Sequence, residues 1–115
     1  MISGQLTLLR KDVPARIVGF VEDSSSQTTR NINRIRTLGF MPGRDIKLQG
    51  RRRGTSRVRV ANDIPFAVDK VLTDRIIVKA QEGDFFSTYK EALKEESVIK
   101  DIKKVWNLIL IRFKR

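Results

Sequence analysis

The chain has 115 residues, enough for one domain with an appendage, and carries a formal net charge of +11 from 24 basic and 13 acidic side chains. It contains neither cysteine nor histidine, which excludes disulfides, thiolate zinc sites, imidazole ligands and the commonest general base. No signal-peptide pattern opens the sequence, and the apolar run Leu108 to Ile111 is far shorter than the ~20 residues that span a bilayer, so a soluble cytoplasmic protein is expected.

In chain order, Gln5 to Leu9 reads as an extended lead-in with Leu6, Leu8 and Leu9 available to a core. Ala15 to Glu22, ARIVGFVE, is a strand with Ile17, Gly19 and Val21 on one face and Val18 and Phe20 on the other; apolar on both faces, it is expected to be central. Asp23 to Gln27 is a Ser-rich loop whose hydroxyl residues, or Thr28, are candidates to cap the following helix. That helix carries Ile32, Ile35 and Leu38 as its apolar stripe.

Arg34 to Leu48, RIRTLGFMPGRDIKL, is the most informative stretch. Gly39 stands where a helix stops in the left-handed cap, which costs Gly no Cβ clash. Pro42 fixes its own φ and Gly43 supplies the positive φ that a type II turn needs after proline. Ile46 and Leu48 then alternate with polar residues as a strand with one buried face. Ile46 to Gln49 and Ser56 to Ala61 form a hairpin joined by GRRRGT, with Val58 and Val60 inward and Arg57 and Arg59 outward. Ile64 to Val68 is a fourth strand, which Pro65 places at an edge or at its own first residues; Val71 to Asp74 is one helical turn and Ile76 to Ala80 the closing strand. About five short strands and one inserted helix indicate a mainly β fold, a small barrel rather than a layered sheet.

Beyond residue 83 the composition changes. Residues 84–115 contain no Gly or Pro and place Val98, Ile102, Val105 and Ile109 at spacings of four, three and four, opposite Lys100, Lys103, Lys104 and Lys114. This is a basic amphipathic helix appended to a domain over 1–83. Its stripe is too apolar to stand in water; the barrel, a second copy paired through residues 98–113, or an anionic membrane surface would cover it.

Positive charge is concentrated over residues 30–59, where ten basic residues face the single acid Asp45. Arg34, Arg44, Arg51, Arg52, Arg53, Arg57 and Arg59 are the candidate partner-binding residues, on grounds of charge and expected exposure. Gly39, Pro42 and Gly43 are scaffold. Catalytic residues, cofactor and metal ligands are not expected: the serines at 24–26 have no base beside them, no glycines have a phosphate-cradling spacing, and Glu22, Asp23, Asp63, Asp69 and Asp74 are dispersed beside turns. A binding module fits better than an enzyme.

Three segments together, ARIVGF, RIRTLGFMPGRDIKL and RVRVANDIPFAVDKVLTDRIIVKA, resemble the ferrous iron transport protein A (FeoA) family over roughly Leu6 to Ala80. The resemblance implies an SH3-like β-barrel with a helix inserted after its first strand. It also implies a cytoplasmic accessory that binds the ferrous iron permease FeoB, a membrane protein with a cytosolic GTP-binding domain, at the inner face of the membrane. Similar barrels end metal-dependent repressors, and a basic nucleic-acid-binding barrel is the reading from another class. Residues 84–115 and the RRR run at 51–53 depart from the family pattern.

Overall fold

Six antiparallel strands form one sheet in the order β1-β6-β2-β3-β4-β5. They are β1 (Ile2–Gln5), β2 (Ala15–Phe20), β3 (Asp45–Arg52), β4 (Thr55–Val60), β5 (Phe66–Asp69) and β6 (Ile76–Ala80); helix α1 (Ser26–Thr37) follows β2, and the single turn α2 (Lys70–Thr73) joins β5 to β6. The computed structural model describes residues 1–22 and 26–94. The expected capping by the hydroxyls of 24–26 or Thr28, and the stripe and self-association expected through 98–113, lie outside what is described.

The sheet curls around one core in which Leu6, Leu9, Ile17, Ile35, Phe40, Leu48, Val58, Ile76 and Val78 are fully buried. It has the mainly β, SH3-like form expected, with edges β1 and β5 left unpaired to each other. The strand beyond the expected five is β1. Its ISGQ sequence has no apolar alternation, and pairing with β6 from Ile2↔Ala80 to Gln5↔Ile77 creates it. β2 is central as expected, lying between β6 and β3.

Two irregularities in register reorganise the faces that simple alternation assigns. In β2, Ile17 pairs with Val78 and Gly19 with Ile77, so Val18 is an extra residue. Phe20 then pairs with Ile76, and because Ile76 and Val78 share the core face, Ile17 and Phe20 both point inward. The expected grouping of Val18 with Phe20 is thereby corrected: Val18 and Val21 are exposed. In β3, Leu48 pairs with Val58 but Gly50 with Arg57, which inserts Gln49 and turns Arg51 to the inner side opposite buried Ser56.

The turn between α1 and β3 matches its sequence closely. Gly39 has φ 95°, its N–H donates to the Arg36 carbonyl, and the Phe40 N–H donates to the Ile35 carbonyl, which is the double bond of a Schellman cap. Reversal at Gly39 delivers Phe40 to the core and leaves Leu38 40% exposed, so Phe40 is the third apolar contact that the sequence assigned to Leu38. Gly43 has φ 92° and the Arg44 N–H closes onto the Met41 carbonyl, the type II turn expected of Pro42-Gly43. β5 begins at Phe66, not Ile64: its pairing with β4 ends at Val58↔Phe66, and Pro65 has no N–H to extend the ladder.

After β6, a short 3-10 turn (Glu82–Asp84) leads into a strap that runs back under the sheet. Phe85 bridges to Leu9, and the Phe86 N–H donates to the Leu8 carbonyl. Phe86 is buried between two guanidiniums, Arg10 at 4.3 Å and Arg51 at 5.6 Å from its ring centre. A helix over 89–94, α3, starts behind Thr88, whose hydroxyl accepts from the Glu91 N–H. Residues 84–94 are therefore integral to the barrel's underside.

Candidate interaction surfaces

The seven candidate arginines do not form one patch. Arg51, expected at the surface, is half-buried: its Nη2 donates to the main-chain carbonyls of Thr7 at 2.7 Å and Leu9 at 2.6 Å. The inserted Gln49 is the reason, because it moves Arg51 from the outer to the inner face. Arg51 holds the barrel together.

Arg52, Arg57 and Arg59 lie on the outer face of the β3–β4 hairpin, with Arg53 at its two-residue loop. Register places Lys47 directly across from Arg59, and Arg57 between Gly50 on one side and Ala67 on the other. Arg16 on β2 extends the face and pairs with Asp45 at 3.4 Å. Beside Lys47 and Arg59 a shallow depression of about 330 Å³ is lined by Pro14, Ala15, Asp45, Gln49, Ala61 and Asn62.

Arg34 and Arg44 sit elsewhere, around the corner made by the α1–β3 turn and the β4–β5 turn. Two contacts fasten these turns together: the rings of Phe40 and Phe66 meet edge to face at 5.6 Å, and Arg44 Nη1 lies 4.0 Å from Asp63 Oδ2. The corner presents Met41, 52% exposed, and Ile64, 85% exposed, with Leu38 alongside on the Schellman turn. Arg44 borders it through the Gly39 carbonyl and Asp63, while Arg34 and Arg36 are exposed on the last turn of α1, Arg36 over the Phe20 ring at 5.9 Å. Sequence reasoning counted Leu38 in the apolar stripe of α1 and Ile64 as the first residue of a strand, and missed this patch. The available signal was apolar residues inside turns, Met41 before Pro42 and Ile64 before Pro65, where burial is hard to arrange.

The acids remain dispersed. Asp63 faces Arg44, while Asp74 accepts from the Thr7 hydroxyl at 2.6 Å and from Lys70 Nζ at 2.9 Å. Among the described residues no group of three or more acidic side chains converges on a common point. No helix among them is long and apolar enough to cross a membrane.

A crystal structure of the iron uptake regulatory protein FeoA superposes on 70% of this chain and on 100% of its own, with TM-score 0.58 and 17% identity. The fold is that of FeoA. A manganese-dependent transcriptional repressor in complex with manganese matches 70% of this chain at TM-score 0.60 and 14% identity, but only 38% of the repressor is covered. IdeR of T. acidophilum matches 70% of this chain and 35% of its own, with TM-score 0.55 and 23% identity. No family model matches the sequence, and no curated protein does. The FeoA-like domain thus equals the whole of the FeoA chain and a little over a third of these repressors.

Proposed function

We propose that this chain is a FeoA-type accessory of ferrous iron transport: a cytoplasmic, non-enzymatic domain that docks on the cytosolic GTP-binding domain of a FeoB-type permease and modulates it. The observation that carries this reading is the match to FeoA over that protein's full length, together with the FeoA-like helix, turn and strand sequence from Arg34 to Leu48. The repressor matches, with similar TM-scores, support a regulatory domain but correspond to a part of those chains.

The corner of Leu38, Met41 and Ile64 supports a protein partner. An exposed apolar centre with an arginine rim is the composition of a protein–protein interface, in which a few desolvated anchors supply most of the affinity and the rim sets orientation. Arg44 from the candidate set borders that patch, and Arg34 is exposed on the last turn of the helix that leads into it.

Titration against the cognate permease's GTP-binding domain, in its GTP-analogue and GDP forms, tests the reading. Saturable binding that persists at moderate salt and is lost in a Met41→Asp/Ile64→Asp variant is expected. Both side chains are exposed, and an unchanged denaturant midpoint is expected to show that this variant folds. Absence of binding by the wild-type protein in either nucleotide state overturns the proposal.

A further inference from the structure

We propose that the outer face of the β3–β4 hairpin binds the phosphate backbone of a double-stranded nucleic acid without reading its bases. This activity uses a different face from the permease contact above and does not depend on it.

The geometry of the stripe comes first. Arg57 and Arg59 alternate outward on β4, Lys47 stands directly across from Arg59, and Arg52 follows opposite Thr55 towards the loop that carries Arg53. These cations run along the hairpin for roughly 15 Å at ~3.3 Å per residue. Two acids border them: Asp45, which Arg16 engages, and Asp69, which lies beyond Thr55 from Arg52. Among the described residues none of Lys47, Arg57 and Arg59 has a carboxylate within 4 Å.

Like charges directly opposed on neighbouring strands destabilise a sheet. The Lys47–Arg59 pair is such an opposition, eased by Asp45 only from beyond 4 Å, so an anion on this face would lower the repulsion between them. The ground around the charges is low. Gly50 and Ala67 flank Arg57, and the depression beside Lys47 and Arg59 is lined by Pro14, Ala15 and Ala61, by the amides of Gln49 and Asn62, and by Asp45, whose carboxylate Arg16 engages at 3.4 Å. A phosphodiester can approach the guanidinium and ammonium groups closely, and the two amides are further donors.

Charge alone does not choose between polyanions; the rest of the face does. An acidic protein surface would need an apolar anchor at the centre, and the centre here is Gly50, Ala67 and Ala61. This is the outer, convex side of a curled sheet, which meets a flat lipid surface only along a line. A single-stranded nucleic acid would need fully exposed rings for stacking, whereas among the described residues Phe40 and Phe86 are buried, Phe20, Phe66 and Phe85 are half-buried against the core, and Tyr89 is half-buried with its hydroxyl held by the hairpin loop and Lys70 over its ring. A linear array of cations with no fully exposed ring among the described residues matches a duplex backbone, whose phosphates bind by counterion release.

The test is fluorescence anisotropy of the full chain with a short labelled DNA duplex and its RNA counterpart, from low salt upward. The Lys47→Gln/Arg57→Gln/Arg59→Gln variant is compared with Arg30→Gln/Arg34→Gln/Lys94→Gln, which removes the same charge from exposed positions elsewhere. Wild type should lose affinity linearly on a log–log salt plot, and the hairpin variant should weaken binding about tenfold or more and reduce the slope by about 2 to 3, at ~0.9 per lost phosphate contact. The control variant should change both by much less. Equal losses in the two variants, or none in the hairpin variant, overturn the proposal. So does displacement of the duplex by polyglutamate or by vesicles of acidic lipid at equal charge concentration. Denaturant midpoints for both variants show that any loss occurs in folded protein.

Discussion

Arg51 reaches from the hairpin to the carbonyl oxygen of Leu9, 42 positions earlier, at 2.6 Å. The same nitrogen takes the carbonyl of Thr7, and the guanidinium lies against Phe86, so one cation ties the hairpin, the segment after β1 and the C-terminal strap. Charge-assisted bonds of this kind contribute about 1.5–3 kcal/mol each when a partner is removed. Arg51→Met should therefore lower unfolding free energy by about 2–3 kcal/mol in urea titration. Arg51→Lys should recover less than half of that loss, because an ammonium cannot reproduce the planar fork. Arg52→Gln/Arg53→Gln, at exposed positions, should shift the midpoint hardly at all. If the three behave alike, Arg51 is a surface residue after all.

Gly4 is required by a close approach. A Cβ built there would stand 2.7 Å from Cε1 of Phe85, which lies over the glycine on the β1 edge of the sheet. Gly4→Ala must push the ring away and should cost about 1–3 kcal/mol, the usual range for overpacking. The double variant Gly4→Ala/Phe85→Ala should be less destabilised than the sum of the two single changes, because removing the ring removes the clash. Additivity in that cycle would mean that the strap does not rest on β1 in solution.

Beneath the barrel a chain of hydroxyls serves a carboxylate. Thr7 and Thr73, both almost fully buried, have oxygens 2.6 Å apart, and Thr7 also lies 2.6 Å from Asp74 Oδ1. Because the carboxylate only accepts, Thr7 donates to Asp74 and Thr73 can donate to Thr7. Thr7→Val keeps the shape but takes from Asp74 its hydroxyl donor, while Thr73 retains the Lys70 carbonyl at 3.2 Å, and a loss of about 1–3 kcal/mol is expected from calorimetry. Thr7→Ser should retain most of the stability. A Val variant as stable as wild type would show that the network contributes nothing.

Local chemistry made much of this fold readable. Gly39 with φ 95° and Pro42-Gly43 with φ 92° at the glycine occupy the conformations that their sequence context requires, and these turns position α1 against β3 without long-range information. The inserted residues at Val18 and Gln49 were not readable, since a bulge arises from how two strands settle against each other, and each one reverses the face of everything beyond it in its strand. That is why Phe20 went to the wrong side, and why Arg51 was grouped with arginines that it does not join. The candidate surface was readable as charge but not as geometry: Arg57 and Arg59 were correctly outward, while the separation of Arg34 and Arg44 from them emerges only when two turns distant in sequence meet through Phe40 and Phe66. Phe85, Phe86 and Tyr89 carried no local signal, because their partners lie 19 or more positions away.

Tyr89 connects the C-terminal helix to the basic hairpin. Its hydroxyl accepts from the Gly54 N–H at 2.8 Å and donates to the Arg52 carbonyl at 3.2 Å, and Lys70 Nζ stands 4.8 Å from its ring centre. Gly54 supplies the positive φ of the two-residue loop, so the hydroxyl clasps the loop at both ends of its turn. Tyr89→Phe removes both bonds while keeping the ring, and water can replace them at this exposed site; the expected loss of global stability is about 0.5–1.5 kcal/mol. Hydrogen exchange resolved by residue is the sharper measurement. The Gly54 amide should exchange about tenfold faster in Tyr89→Phe, as an opening made easier by ~1.4 kcal/mol would require, while Val58 and Val60 amides keep their wild-type rates. Unchanged protection at Gly54 would mean that the loop is ordered by its own turn, and that α3 packs on the barrel without controlling the hairpin.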